Sequence, residues 1–134
     1  MIALDTNILV RFLTADDPVQ SARARALLLR DREYFVAVTV LLELGWVLQS
    51  MGWERAQLAP CLRALLALDN VRTQHPEAMA LALGWFEQGL DLADALHLAL
   101  SATATEFVTF DTRLQKKAAA LRLSPAVAVL KSAA

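Results

Sequence analysis

Cysteine is almost absent from this chain, which has only Cys61. No internal disulfide can form, and no thiolate cage can hold a zinc ion. Long apolar runs are missing as well. The longest stretches without a charge, such as 95–105, fall far short of the ~20 residues that span a bilayer. The chain reaches Asp5 after Met1-Ile-Ala-Leu, with no basic leader and no apolar leader segment. That absence predicts a soluble, cytoplasmic protein. Neither sign of charge is in excess, because the net charge is −1, so whole-molecule charge does not announce a nucleic-acid binder. Repeats, linkers and low-complexity segments are also lacking.

What is present is apolar. Of 134 residues, 57% are hydrophobic, above the usual range of about 45–50%. The length fits one domain, 1–134, with a sizeable core. The apolar surplus hints at a covered partner surface, such as that of a homodimer. Cys61 sits in an apolar helical pattern and reads as a packed thiol. Arginine greatly outnumbers lysine, which suits bidentate phosphate contacts. Arg11, Arg23, Arg25, Arg30 and Arg32 crowd the first quarter, and Arg113, Lys116, Lys117 and Arg122 gather near the end. Each of these taken singly reads as a solvated helix face.

Periodicity gives an alternation of strands and helices. Strands are expected over 2–4, 34–38, 107–110 and 126–130, with a weaker one over 71–73. Helices are expected over 8–14 and from Pro18 to about Arg30, since proline suits a first turn. Further helices are expected over 40–51 (capped by Thr39 and ended by Gly52), 54–68 (kinked or broken at Pro60), 76–88 (stopped by Gly89), 92–103, and from the Asp111 cap to Leu121. This is an α/β pattern: a mostly parallel central sheet of about five short strands, with helices on both faces.

The stretch DLADALHLAL, from Asp91 to Leu100, is apolar at helical spacing yet opens with Asp91 and Asp94 on one face. A capping box with aspartate at both places would account for them. Three further acids hold comparable places. Asp5 follows the first strand, Glu43 lies early in the helix after the second, and Asp111 follows the strand 107–110. In a parallel sheet, residues just past the carboxyl ends of the strands meet at one edge, where open α/β sheets bind ligands. Asp5 and Asp111 also read as N-caps. Glu43 falls one residue outside the capping-box position set by Thr39, and apolar neighbours flank it at 41, 42, 44 and 46. An unpaired carboxylate in apolar surroundings costs free energy.

Two carboxylates about 4 Å apart repel by on the order of 4 kcal/mol at an effective dielectric of 20. No Lys or Arg lies within three residues of Glu43 or Asp94. A divalent metal answers both problems. An all-oxygen donor set suits Mg²⁺ or Mn²⁺, one ion or two, where zinc would want His or Cys.

With those acids in place, the chain resembles the PIN domain and, within it, VapC-type toxins of VapBC toxin–antitoxin modules. The resemblance rests on LDTNILVRFL (Leu4 to Leu13), LLELGWVL with Glu43, DLADALHLA with Asp94, and VTFD with Asp111. It covers essentially the whole chain. It implies a metal-dependent endoribonuclease. Asp5, Glu43 and Asp94 would be core metal ligands, and Asp111 a more peripheral fourth. Thr6, Asn7 and Thr109 would be supporting residues, and Asp91 an auxiliary acid or a cap. The implied chemistry is in-line attack of metal-activated water on the scissile phosphate, leaving 5′-phosphate and 3′-hydroxyl ends. The resemblance further implies a homodimer, a VapB-like antitoxin, and tRNA or another structured RNA as substrate. Arg11, Arg23 and Arg25 are the first candidates to contact that RNA.

His97, three residues past Asp94, reads as a core or interface histidine. His75 reads as a loop residue. Trp46, Trp53, Trp85 and Phe86 read as core or interface anchors, with Trp53 the one most suited to meeting a partner. Three rivals use the same acids. A phosphatase or phosphotransferase with Asp5 as nucleophile would want an acid where Asn7 stands. A receiver-like domain would want a two-acid pocket after the first strand. A non-catalytic metal- or RNA-binding module would keep the acids as caps.

Overall fold

The computed structural model describes residues 1–131; the last three residues of the expected domain lie outside them. The chain divides into two compact units, the first ending at Pro76 and the second starting at Glu77.

The first unit begins with strand β1 (Ile2–Ala3), then helices α1 (Thr6–Leu13) and α2 (Pro18–Leu28). Strand β2 (Tyr34–Phe35), helices α3 (Val38–Ser50) and α4 (Arg55–Leu66), and strand β3 (Val71–Arg72) follow. The sheet order is β1-β2-β3, and both pairings are parallel. Parallel neighbours need long crossovers, and the helix pairs α1–α2 and α3–α4 provide them. Leu41, Leu44 and Leu48 of α3 and Leu58, Leu62 and Leu65 of α4 are buried, as is Leu9 of α1. Tyr34 is fully buried at the centre of this sheet, and its hydroxyl donates to the Leu27 carbonyl.

In the second unit, helices α5 (Pro76–Glu87) and α6 (Leu92–Ala99) precede strand β4 (Glu106–Thr109), helix α7 (Thr112–Leu121) and strand β5 (Ala126–Val129). β4 and β5 pair in parallel, with Val108 opposite Ala128. Met79, Leu83 and Phe86 of α5 and Ala95, Leu96 and Leu98 of α6 form its buried set.

The expected α/β class, with five short parallel strands, is what the chain adopts. The strands are shared between a three-stranded and a two-stranded sheet instead of forming one ladder. Boundaries moved where side chains overrode local propensity. The strand expected over 34–38 stops at Phe35, because α3 already begins at Val38. Thr39 is therefore not its cap. The N-cap is Ala37, which offers no side-chain acceptor, and the Val38 N–H donates instead to Gln74 Oε1 at 2.8 Å. Pro60 lies inside α4 without breaking it. The carbonyl it leaves unbonded, that of Ala56, belongs to an exposed residue that water can reach. The helix expected to run to Thr103 ends at Ala99, and the Ser101–Thr105 stretch continues as turns. Gly52 and Gly89 close α3 and α5 with φ of +96° and +112°, the left-handed region where glycine is favoured.

The capping of α3 yields a first prediction. Gln74→Ala removes a helix-end acceptor and should cost about 0.5–2 kcal/mol of stability, read from chemical denaturation. Gln74→Glu, which keeps an acceptor, should cost less. Equal losses for both would refute the capping role.

Candidate functional site

Three of the five singled-out acids start helices. Asp5 caps α1, its Oδ1 accepting from the Thr6 N–H at 2.8 Å. Asp91 caps α6, accepting from the Asp94 N–H at 3.2 Å. Asp111 caps α7, accepting from the Arg113 and Leu114 N–H groups at 2.9 and 3.1 Å. Thr109 braces that turn, its Oγ1 accepting from the Asp111 N–H at 3.1 Å. A carboxylate at a helix start also meets the positive end of the helix dipole. Asp91, open between cap and auxiliary acid in the sequence, is a cap.

Glu43 and Asp94 differ from these. Neither carboxylate accepts a hydrogen bond or pairs with a Lys or Arg among the described residues. Glu43 is exposed on α3, contrary to the expectation of apolar surroundings. Its neighbours Leu41 and Leu44 turn inward while it turns out, because the helical period separates residues adjacent in sequence. Desolvation therefore does not explain Glu43, and neither does capping. Asp94, at the third position of α6, is half-buried. Burial raises its pKa, the negative charges of Asp91 and Asp111 raise it further, and His97 acts weakly the other way. So in the second unit three aspartates share one electrostatic neighbourhood. His97 is exposed and not a core residue; its ring stacks on Phe107 with centroids 6.5 Å apart.

In the first unit Thr6 follows Asp5. Its Oγ1 is buried with no hydrogen-bond partner among the described residues. Asn7 is exposed and lines a groove of about 780 Å³ along α1 and α2, together with Arg11, Gln20, Arg23 and Arg30. No acidic residue lines this groove. Arg11 is held in place, with Nη1 3.1 Å from Asp16 Oδ1 and Nε donating to Gln20 Oε1 at 2.8 Å. A hydrogen bond from the Thr14 hydroxyl, with Arg11 beside it, lowers the Asp16 pKa. Arg23 and Arg30 carry no side-chain partner among the described residues. Arg25 is not in the groove lining, and its Nε donates to the Phe12 carbonyl at 3.4 Å. Arg30 thus stands where sequence reasoning had set Arg25; its spacing of seven from Arg23 was the available signal.

Glu43 and Asp94 each offer oxygen donors of the kind a hard divalent cation takes, and neither is neutralised by a Lys or Arg among the described residues. Among the described residues, no three of the His, Cys, Asp and Glu side chains are grouped to hold a metal ion. Among the described residues, no helix is long and apolar enough to cross a membrane.

Comparison with known proteins places the chain. The PIN domain family matches residues 2–120, and the chain belongs to that family. PIN domains are, as a family, metal-dependent nucleases that act on nucleic acids. No curated protein and no solved structure matches the chain.

The state of Asp94 yields a second prediction. Its folded pKa is raised, so ionisation costs the folded state stability, and at neutral pH that cost is present in full. Asp94→Asn should therefore raise the melting temperature in EDTA. Solvent screening limits the gain to about 0.2–1 kcal/mol, or about 1–4 °C. Mn²⁺ should stabilise the wild type and leave Asp94→Asn unmoved. A variant that melts lower in EDTA would refute the repulsion.

Proposed function

We propose that this protein is an Mg²⁺- or Mn²⁺-dependent endoribonuclease, the toxin of a VapBC-type toxin–antitoxin module, with 1–134 as one ribonuclease domain. The observation that carries the reading is the pair Glu43 and Asp94. Neither carboxylate caps a helix or pairs with a Lys or Arg among the described residues, and both lie in the motifs on which the resemblance to the family rests. Asp5 and Asp111 complete the set of metal-holding acids, and Asp91, Thr6, Asn7 and Thr109 support it. One or two ions held there would lower the pKa of water and offset charge on the phosphate.

The chain's own residues do the rest. The caps fix Asp5 and Asp111 at the starts of helices, so each carboxylate has one oxygen, Oδ1, anchored to backbone N–H groups. Asp91 fixes the first turn of α6 and with it the Asp94 backbone. Arg23 and Arg30, unpaired in an acid-free groove that begins at Asn7, offer phosphate contacts; Arg11 is positioned by Asp16 and Gln20 to add a third, and Arg25 extends the basic rim. Such contacts position RNA without reading its sequence. In this reading the substrate is tRNA or another structured RNA, a VapB-like antitoxin neutralises the toxin, and the protein works in the cytoplasm. Val108, Phe110 and Leu130, all exposed in the second unit, support a homodimer, since exposed apolar faces mark protein contacts.

Cleavage of total RNA by the purified protein tests the reaction class. Discrete fragments with 5′-phosphate ends should appear with Mn²⁺, vanish with EDTA, and be reduced about 10²–10³-fold in Asp94→Asn, the scale of losing one electrostatic catalytic group. Metal-independent cleavage, or cleavage that survives the substitution, would sink the proposal. Charge reversal at the groove gives a second readout. Arg23→Glu should raise KM, leave kcat nearly unchanged, and flatten the salt dependence by about 0.7 per lost phosphate contact. An unchanged salt slope would remove Arg23 from the RNA path.

A further inference from the structure

Helix α3 divides its residues sharply. Leu41, Leu44, Gly45 and Leu48 are buried, while Thr39, Glu43, Trp46 and Ser50 are not. The second set is spaced by four, three and four residues, which draws one stripe along the solvent side. Trp46 lies on that stripe with 69% of its surface exposed. The sequence reading had made it a core or interface anchor; it is not in the core. The indole has no hydrogen-bond or ring partner among the described residues. A tryptophan held largely in water is unusual, because the ring is among the most strongly apolar surfaces a chain can carry.

We propose that Trp46 is a base-stacking residue that positions an unpaired nucleotide of the RNA beside Glu43. This rests on the ribonuclease reading of Glu43. Residues three apart on a helix have Cβ atoms about 5–6 Å apart, so a nucleotide stacked on Trp46 has its phosphate within reach of the Glu43 carboxylate. The surroundings favour a base over a protein partner. Tryptophans that anchor protein interfaces sit in apolar, desolvated pockets. Here the rest of the stripe is Thr39, Glu43 and Ser50, with Gln49 also exposed beside it. Stacking needs only the flat face of the indole and leaves the base edges hydrated, and it tolerates any base. A paired base cannot offer its face without leaving its own stack, at a cost of a few kcal/mol. Trp46 therefore selects unpaired nucleotides at the cut.

Single-turnover cleavage of a labelled oligoribonucleotide, with enzyme titrated in Mn²⁺, tests this. Trp46→Ala should raise the half-saturating enzyme concentration about tenfold, the scale of one lost base stack, with little change in the plateau rate. Trp46→Phe should recover most of the loss, and Trp46→Leu, which is apolar without a π face, should not. In copies of the RNA carrying one abasic ribose, one position near the cut should cost the wild type about tenfold and cost Trp46→Ala nothing further. A fully active Trp46→Leu, an abasic penalty equal in both proteins, or a change in sedimentation on Trp46→Ala would overturn the proposal, the last by assigning the ring to a second copy of the chain. Wild-type silence on RNA would remove the ribonuclease reading alone. Quenching of Trp46 emission by the oligonucleotide, in a Trp53→Phe/Trp85→Phe background, would then still uphold the stacking site, and its absence would overturn it.

Discussion

The first N–H groups of a helix have no acceptor within it, and this chain answers that demand with aspartate at four of its helix starts, Asp17 of α2 among them. Asp5, Asp91 and Asp111 each accept from the turn they open. The constraint is local, yet it decides where negative charge collects. Asp5 and Asp111 each follow a strand closely, at the carboxyl-end position where α/β folds build ligand sites. A requirement of helix formation has therefore already set carboxylates, and fixed their backbones, at places useful for chemistry.

The same constraint separates structural acids from spare ones. Asp5, Asp91 and Asp111 would be expected in a fold with no activity at all. Glu43 and Asp94 would not. Burial raises the Asp94 pKa, and the negative charges of Asp91 and Asp111 raise it further. Glu43 occupies the exposed stripe of α3, where no helix end or counterion needs it. Residues that add nothing to the fold, or weaken it, are where function is expected to have overridden stability. The groove along α1 and α2 adds the opposite charge nearby in sequence, with Arg23 and Arg30 left unpaired beside Asn7.

Some features were invisible along the chain because they depend on distant partners. The start of α3 is satisfied by Gln74, which is 36 residues away from Val38, so sequence rules looked for a local cap and chose Thr39. The flanks of Glu43 looked apolar because neighbours in sequence are not neighbours on a helix surface. Pro60 looked like a break, but the carbonyl it frees faces water. The five strands looked like one sheet because alternation of elements specifies parallel pairing and not which ladders close; two-residue strands carry too few hydrogen bonds to declare their partners.

What the sequence determined by itself is the α/β class, the order of the elements to within a few residues, and the resemblance to the PIN family, which the family match over residues 2–120 bears out. The class and the elements follow from periodicity and cap residues, and the resemblance from short motifs, all properties of the chain read locally. Only tertiary structure decided which acids are occupied as caps and which are spare. It also decided that Arg30, not Arg25, lines the groove, and that Trp46 and His97 lie in water. Burial and partnership depend on what packs against a residue from elsewhere in the chain, and a linear pattern carries no record of that.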